Sequence, residues 1–480
     1  MDPDDNPLKL KQPTGTFACQ WLIPDPSSGA FRSCTGEVDL RSEEQPEGRI
    51  SDVIPGITQG GFPQRLHFER LRGEMATGAE ILLLDVTIEA FGLWGFPGFR
   101  FPEGNATIFA AVALVGREVE KLNDSKIKAI KVQISNIDRI SASAPIVSTT
   151  FPNRLRDDVE NRFSAQVRSG GCEWSDETAT MTIDYIFAAT VTGGYEFGVR
   201  CTPIIMISLN RPEEVLQAYN NWVRTLFRVI SVLTGRQEQV TYLEVQPDGD
   251  GDPYFCQVFA SPISQSPYFP PKGRLPKRED SALKVDRDNV SLLELVKKWQ
   301  ILEDEQNPLV YTYDPYSLGA DQHPRARFLL LIQALEGISN RENILNDRLA
   351  SFQKTRNEVI SACMKFLTGK YRKFAKSQFK MSPISLDDRL KEMFALLPVN
   401  PAPALRASSL VTKVCEEREV SMEAALRIIR NDLAHGNRTY DYRELAEVAR
   451  TLQSVVRAHA LRILDLSPEI QSNVLDFDDR

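Results

Sequence analysis

The sequence predicts an α+β protein of several domains, in which an N-terminal β-rich antiparallel domain precedes a C-terminal all-α helical bundle. Three features lead to this expectation. Short apolar runs alternate with turn residues over residues 1–260, prolines crowd the segment 261–280, and helical periodicity prevails from residue 324 onward. A chain of 480 residues is also too long for one ordinary hydrophobic core.

The first domain, residues 1–260, is predicted to be an antiparallel sheet, a sandwich or a partly open barrel. Gly, Pro, Asn and Ser separate its strand-like runs, which are Thr16–Ile23, Glu37–Leu40, Arg65–Leu71, Ile81–Ala90, Thr107–Val115, Ile127–Ser135, Thr178–Phe187 and Tyr195–Ile207. A helix is expected over about 212–234, because Pro212 suits a first helical turn and Gly235 a helix end. Two more strands, Gln239–Val245 and Tyr254–Phe259, should follow it.

A proline-rich connector with a junction helix is predicted for residues 261–323. Five prolines disfavour both helix and strand at its start, and these are Pro262, Pro267, Pro270, Pro271 and Pro276. The pattern of Leu292–Leu302 indicates a short helix near the end of this connector.

The third region, residues 324–480, is predicted to contain only helices, packed as a bundle. After Pro324, one continuous helix face is formed by Phe328, Leu331, Ile332, Leu335 and Ile338. Further helices are expected at about Ile344–Phe379, Leu386–Leu396, Ala407–Arg418, Met422–Ala434 and Tyr442–Leu464.

The composition is that of an ordinary soluble protein, with 42% hydrophobic and 25% charged residues. No apolar stretch reaches the roughly 18–20 residues that a membrane span needs. The acidic start of the chain, residues 1–5, does not resemble a signal peptide. The seven scattered cysteines contain no Cys-x-x-Cys pair, which favours reduced thiols. We therefore expect a cytoplasmic protein without a membrane span.

The net charge of −8 is unevenly distributed along the chain. Residues 1–323 hold 32 basic and 45 acidic residues, whereas residues 324–480 hold 25 basic and 20 acidic residues. Only the C-terminal region therefore has the sign expected of a protein that binds a polyanion.

Several classes of enzyme are disfavoured by the motifs that the sequence lacks. It contains no phosphate-binding glycine loop, no Gly-x-Ser-x-Gly and no His-Glu-x-x-His. Its four histidines, His67, His323, His435 and His459, are too few and too dispersed for a multi-histidine metal centre. We therefore expect chemistry that uses neither a metal nor another cofactor.

One segment with catalytic potential remains, running from Arg430 to Gly436 at the end of a predicted helix. Arg430 and His435 are five residues apart, about 140° around an ideal helix, so they share a face only if the last turn unwinds. Gly436 would tolerate such a left-handed helix end. The pair would converge most easily where two such helix ends meet across a dimer axis.

An imidazole and a guanidinium suffice for cleaving RNA without a metal. The imidazole moves protons near neutral pH, and the guanidinium stabilises a phosphate or a developing phosphorane. Attack by the RNA's own 2′-hydroxyl would leave a 2′,3′-cyclic phosphate, and DNA would not be cut. The spacing is also common by chance, so a solvated Arg430 and a helix-capping His435 are the competing interpretation.

The segment around Arg430 resembles the motif of a known family. Arg430, the polar Asn431 and His435 resemble the motif of the HEPN superfamily of helical ribonucleases. The segment 328–336 (FLLLIQALE), followed a hundred residues later by 430–436, is similar to the Apea-like HEPN group of bacterial antiphage defence proteins. The resemblance covers about 324–464, and residues 15–260 only loosely.

This resemblance implies a dimeric, metal-independent endoribonuclease that arrests or kills an infected cell. It also implies that His435 acts as acid and base, that Arg430 stabilises the phosphate and that Asn431 orients the two. The β-rich domain would then detect a phage-derived trigger or restrain the activity. Two alternatives remain, an inactive module that binds RNA or a protein partner, and a toxin held by an antitoxin.

A second cluster of residues is a candidate for holding the RNA. Lys370, Arg372, Lys373 and Lys376 belong to a stretch of six basic residues and no acidic ones between Lys365 and Lys380. Aromatic residues lie among them and could stack on unpaired bases. The competing interpretation is a helix end whose aromatic residues face the core. His459 follows an apolar stripe and is expected to be a core residue.

Overall fold

The computed structural model describes residues 10, 15–25, 29–40, 45–52, 54, 64–90, 106–117, 126–141, 145–150, 164–168, 171–192, 196–236, 238–249, 254–260, 281–312, 322–342, 345–378 and 384–475. The proline-rich segment 261–280 lies outside these residues. Contacts divide the chain into two compact units, one of residues 1–230 and 238–296, and one of residues 231–237 and 297–480. The domain limits 1–260, 261–323 and 324–480 stay a prediction.

The first unit begins with a six-stranded antiparallel barrel. Its strands pair in the order β6-β3-β2-β1-β4-β5, and β5 pairs with β6 to close the barrel. The strands are β1 (Thr16–Pro24), β2 (Phe31–Asp39), β3 (Glu47–Ile50), β4 (Gln64–Met75), β5 (Glu80–Ala90) and β6 (Ala106–Gly116). The expectation of an antiparallel β-rich region is confirmed, and the barrel is closed where a partly open one was among the alternatives.

Trp21 fills the middle of the barrel and has no exposed surface. Two glycines, on the strands β2 and β4 that flank β1, leave space for its ring. A Cβ atom on Gly36 would lie 2.8 Å from Trp21 Nε1, and one on Gly73 would lie 2.8 Å from Trp21 Cε3. Close packing therefore dictates glycine at both positions.

The sheet continues beyond β6, in the order β14-β13-β7-β12-β11-β10. The elements of this part are β7 (Lys126–Ile134), α1 (Ile137–Ser141), β8 (Ile146–Thr150), β9 (Ser164–Val167), β10 (Glu173–Ser175), β11 (Ala179–Thr192), β12 (Glu196–Glu214), α2 (Val215–Ala218), α3 (Thr225–Thr234), β13 (Val240–Pro247) and β14 (Cys256–Ala260). Strands β8 and β9 form a separate antiparallel pair.

The helix expected over about 212–234 begins later than predicted. Strand β12 extends to Glu214, and Pro212 lies where its pairing with β7 shifts register between Ser208 and Glu213. A proline is tolerated there because no ladder hydrogen bond needs its nitrogen. A π-helical turn, Tyr219–Arg224, separates α2 from α3.

From residue 292 onward the described chain contains helices and no strand. These helices are α4 (Leu292–Asp304), α5 (Pro308–Thr312), α6 (Pro324–Arg341), α7 (Asn346–Phe366), α8 (Gly369–Gln378), α9 (Leu386–Ala395), α10 (Ala402–Ala407), α11 (Ser409–Arg418), α12 (Met422–His435), α13 (Tyr442–Ile463) and α14 (Pro468–Ser472). Helix α6 packs against α9, α12 and α13 through its predicted apolar face, which is buried. In the part of the chain described, no helix is long and apolar enough to span a membrane.

Two predicted helices differ from the observed ones at a break in the backbone. The helix expected at Ile344–Phe379 is broken after Phe366, because Leu367 is extended and Gly369 has a φ of +53°. The helix expected at Ala407–Arg418 begins two residues later, at Ser409, because the backbone of Ser408 is extended with a ψ of 135°. The short helix α10 before it was not predicted. Short breaks of this kind leave the apolar periodicity nearly unchanged, so the sequence pattern did not reveal them.

Candidate active site

Helix α12 carries all three residues of the predicted catalytic motif. Its start is fixed by the Ser421 side chain, which accepts a hydrogen bond from the amide of Ala424. One face of the helix is buried, through Met422, Ala425, Leu426, Ile429 and Leu433. Because this stripe faces the core, Arg430, which lies between its members, and His435, which follows its last member, lie toward solvent.

The end of α12 is defined by Gly436. This glycine has a φ of +70°, and the amides of Gly436 and Asn437 both donate to the carbonyl of Asp432. The guanidinium of Arg325, in the first turn of α6, donates to the carbonyl of Leu433. Two of the last carbonyls of α12, those of Asp432 and Leu433, are thereby satisfied, and the helix stays intact up to His435.

The Arg430 side chain lies between two oxygen-bearing neighbours and is 35% exposed. Its Nη1 donates to Oδ1 of Asn431 at 3.2 Å, and its Nη2 lies 3.7 Å from Oε2 of Glu336 on α6. The ion pair is long, so the guanidinium keeps donors that can reach a ligand. Asn431 and Glu336 together fix its direction.

His435 is exposed at the C-terminal end of α12. No hydrogen bond joins it to Arg430 among the described residues. The unwinding that would bring the two side chains onto one face of a single helix is not found, because Gly436 turns the chain only after His435. Within one chain the structure therefore brings Arg430 together with Asn431, but not with His435.

The helical region of the chain is similar to a known protein family. Residues 329–470 match the model of the family Apea-like HEPN. This helical region is an Apea-like HEPN domain. No curated protein and no solved structure matches the chain. HEPN domains are generally ribonucleases and often dimerise, and Arg430, Asn431 and His435 all lie within the matched residues of this one.

The loop after His435 is tied to the rest of the HEPN domain. The Tyr440 hydroxyl donates to Asp432 at 2.7 Å, and Arg438 binds both carboxylate oxygens of Glu417 on α11 at 2.7 and 3.2 Å. Burial and the Asp432 carboxylate raise the pKa of Tyr440, so the hydroxyl keeps its proton and remains a donor. Asp432 thus anchors the loop that begins at the end of α12.

His459 is a core residue of the HEPN domain, as the sequence indicated. Its side chain has no exposed surface, and Nδ1 accepts a hydrogen bond from Arg462 Nε at 3.4 Å. Burial, and next the positive charge of Arg462, lower the pKa of His459 to about 3. The imidazole is therefore neutral at physiological pH, inside the domain and away from solvent.

The predicted RNA-binding residues lie on α8, where Lys370, Arg372 and Lys373 are exposed. Lys376 belongs to the same helix, but its side chain lies outside the described residues. The competing interpretation placed the aromatic residues of this stretch in the core, and for two of them it is wrong. Tyr371 is 60% exposed and Phe374 is 64% exposed.

Three residues near the motif were missed by the sequence analysis, namely Arg325, Glu336 and Tyr440. Each contacts α12 from another part of the chain or through a backbone atom of α12, so no sequence spacing predicts the contact. Glu336 offered one signal, because a carboxylate there interrupts the apolar sequence of α6. Within the described residues, no group of three or more His, Cys, Asp and Glu side chains is arranged to hold a metal ion.

We expect Tyr440→Phe to loosen the end of α12, because Asp432 loses its hydroxyl donor. The free energy of unfolding should fall by about 1 kcal/mol, with partial compensation by water. Hydrogen exchange of the Gly436 and Asn437 amides should accelerate as well. Tyr442→Phe is the matched control, since its ring packs edge-on against His323 at 5.6 Å between centroids and keeps that contact. Equal exchange rates in the two variants would contradict the anchoring role of Tyr440.

Proposed function

We propose that this protein is a metal-independent endoribonuclease that acts in antiphage defence by abortive infection. The HEPN domain, residues 324–480, would cut RNA by attack of the 2′-hydroxyl and leave a 2′,3′-cyclic phosphate. The observation that supports this most strongly is an Apea-like HEPN match that contains Arg430, Asn431 and His435, with Arg430 and His435 reachable from solvent at one end of α12.

The proposed reaction needs one proton acceptor, one proton donor and one positive charge. The 2′-oxygen attacks phosphorus as its proton passes to a histidine, and the bond from phosphorus to the 5′-oxygen breaks as that oxygen receives a proton. His435 performs the proton transfers. Arg430 stabilises the charge on the phosphorane oxygens, and Asn431 holds the guanidinium toward them.

We further propose that two chains build one site. Arg430 and His435 lie about 140° apart around an intact helix, so the two side chains leave a single α12 in different directions. A two-fold axis near the ends of two α12 helices would bring Arg430 of one chain to His435 of the other. A homodimer, or a larger even oligomer, is therefore the proposed active form.

The remaining assignments of the chain are proposals of the same kind. Residues 1–260 would form a sensing or regulatory domain that responds to a phage-derived trigger, and residues 261–323 would be the connector. The protein would act in the cytoplasm, where its RNA substrate is. The barrel of β1–β6 would be the framework of this sensing region. Because β5 pairs with β6, neither strand leaves an unpaired edge where the barrel closes.

We expect the purified protein to cleave total bacterial RNA in excess EDTA. His435→Ala and Arg430→Ala should each reduce the rate at least about a hundredfold, because one removes the proton carrier and the other the stabilising charge. The products should carry a 2′,3′-cyclic phosphate. Rates by gel analysis and end groups by mass spectrometry provide the measurement.

Two matched substitutions control for general effects of the mutations. His67→Ala removes an exposed histidine of the barrel, and Arg450→Ala removes an exposed arginine of α13. Both should cleave like the wild type. Cleavage that needs a divalent metal, or that persists in the Arg430 and His435 variants, would place the active site elsewhere. A wild type that stays inactive even with infected-cell extract would favour an RNA-binding or protein-binding module.

Glu336→Gln should lower kcat about tenfold without raising KM. The amide keeps the shape of the carboxylate but loses the charge that directs Arg430 at 3.7 Å. Substrate phosphate would no longer face a carboxylate, so binding should not weaken. Steady-state kinetics on a short RNA would separate the two constants.

The matched control is Glu342→Gln, which removes a carboxylate that pairs with Arg462 at 2.6 Å just beyond the end of α6. It should leave both constants unchanged. A raised KM with unchanged kcat in Glu336→Gln would contradict a positioning role.

A further inference from the structure

Helices α7 and α8 form a part of the HEPN domain that we call the arm, residues 346–378. None of the described side chains of the arm is buried. This is unusual for 31 helical residues of α7 and α8, because helices in proteins are stabilised chiefly by an apolar face packed on a core. The arm therefore presents its side chains to something other than the core.

Three aromatic rings stand out on the arm. Phe366 is 85% exposed, Phe374 is 64% exposed and Tyr371 is 60% exposed. Exposing rings of this size in water is unfavourable, and large apolar groups clustered on a surface are typical of a binding site. The three rings lie within nine consecutive residues, at the end of α7 and in the first half of α8.

The charge around these rings has a single sign. Between Lys365 and Lys380 the sequence holds six basic residues and no acidic one. Lys365, Lys370 and Lys373 are exposed, and the ammonium of Lys370 lies 5.4 Å from the centre of the Tyr371 ring. A surface of rings and cations without carboxylates fits a ligand that is polyanionic and also has flat apolar faces.

The rings and cations are held in a fixed arrangement. Tyr371 and Phe374 are three residues apart on α8, so they lie on neighbouring positions of one face, about 4.5 Å apart along the helix axis. Arg372 donates through Nη2 to the carbonyl of Met364 at 2.8 Å, which joins α8 to the last turn of α7. Arg372 is thus a brace of the arm, whereas Lys370 and Lys373 are exposed on α8 close in sequence to the two rings.

We propose that the arm binds single-stranded RNA, with unpaired bases stacked on Tyr371 and Phe374 and the neighbouring phosphates held by Lys370 and Lys373. That the polyanion is RNA rests on the proposed ribonuclease function. Paired bases would not present their faces to the rings, so the arm selects unpaired segments of the substrate. It is a substrate-holding surface and contributes no group to the chemistry.

A second copy of this chain is the main competing occupant of the arm. In a two-fold contact the same surface of each chain takes part, which would bring two clusters of like charge together. That repulsion disfavours self-association through the arm, whereas a polyanion neutralises the cluster and releases its own counterions on binding.

The proposal is tested by RNA binding to the full-length His435→Ala chain, in which the proposed catalytic histidine is removed. Fluorescence anisotropy would compare a labelled twelve-nucleotide single strand with a hairpin duplex of equal charge. The single strand should bind at least about tenfold more tightly than the duplex. Adding Tyr371→Ala together with Phe374→Ala should weaken single-strand binding about tenfold or more and leave duplex binding nearly unchanged.

The lysines give an independent readout. Lys370→Ala together with Lys373→Ala should reduce the slope of log affinity against log salt by about 1.4, since each phosphate contact on a single strand contributes about 0.7. Lys391→Ala on α9 and Tyr311→Ala on α5, where Tyr311 is 61% exposed, are matched controls that should bind RNA unchanged. Circular dichroism should be alike in all variants because the substituted side chains are exposed.

The outcomes distinguish a failure of the RNA-binding proposal for the arm from a failure of the proposed ribonuclease function. Unchanged single-strand binding in the arm variants would overturn the arm proposal, even if wild-type cleavage depends on Arg430 and His435. Loss of self-association in those variants, measured by sedimentation velocity, would overturn it in favour of a second copy. Single-strand binding that depends on the arm would support it, even if no cleavage by the wild type is seen.

Discussion

The left-handed turn at Gly436 is the constraint on which the proposed site depends. Because the chain turns only after His435, α12 remains helical through the whole motif, with Asp432 accepting from the two amides that follow the helix. Arg325 and Tyr440 fix this end further, through Leu433 and Asp432. A rigid helix end presents His435 to solvent in a fixed direction relative to Arg430, and this supports the proposal that two α12 helices build the site.

The polar residues of the HEPN domain differ in their exposure and in their charge. Arg430 is partly exposed and loosely paired with Glu336, so its charge is available to an anion. His459 is held neutral in the core, where burial and Arg462 depress its pKa. His435 is exposed at the end of α12 and His459 is buried inside α13, so of these two histidines His435 is the one that a ligand in solvent can reach.

The sequence predicted elements better than it predicted contacts. Periodicity located α6, α12 and α13 and the antiparallel character of β1–β7, because burial of one face leaves a repeating pattern. The break at Gly369 and the late start of the helix at Val215 were missed, since each depends on the backbone angles of one or two residues. Of the proposed site, Arg430, Asn431 and His435 could be identified from their spacing and from the family resemblance. Glu336 and Tyr440 were not, because only folding brings them to α12.

Mixing two inactive variants tests most directly whether two chains share one active site. Arg430→Ala and His435→Ala protein would be combined, allowed to exchange subunits and assayed for RNA cleavage in EDTA. If Arg430 of one chain acts with His435 of the other, half of the dimers carry one intact pair, and about a quarter of the wild-type rate should return. A mixture that forms mixed dimers yet stays as inactive as either variant alone would contradict the shared site.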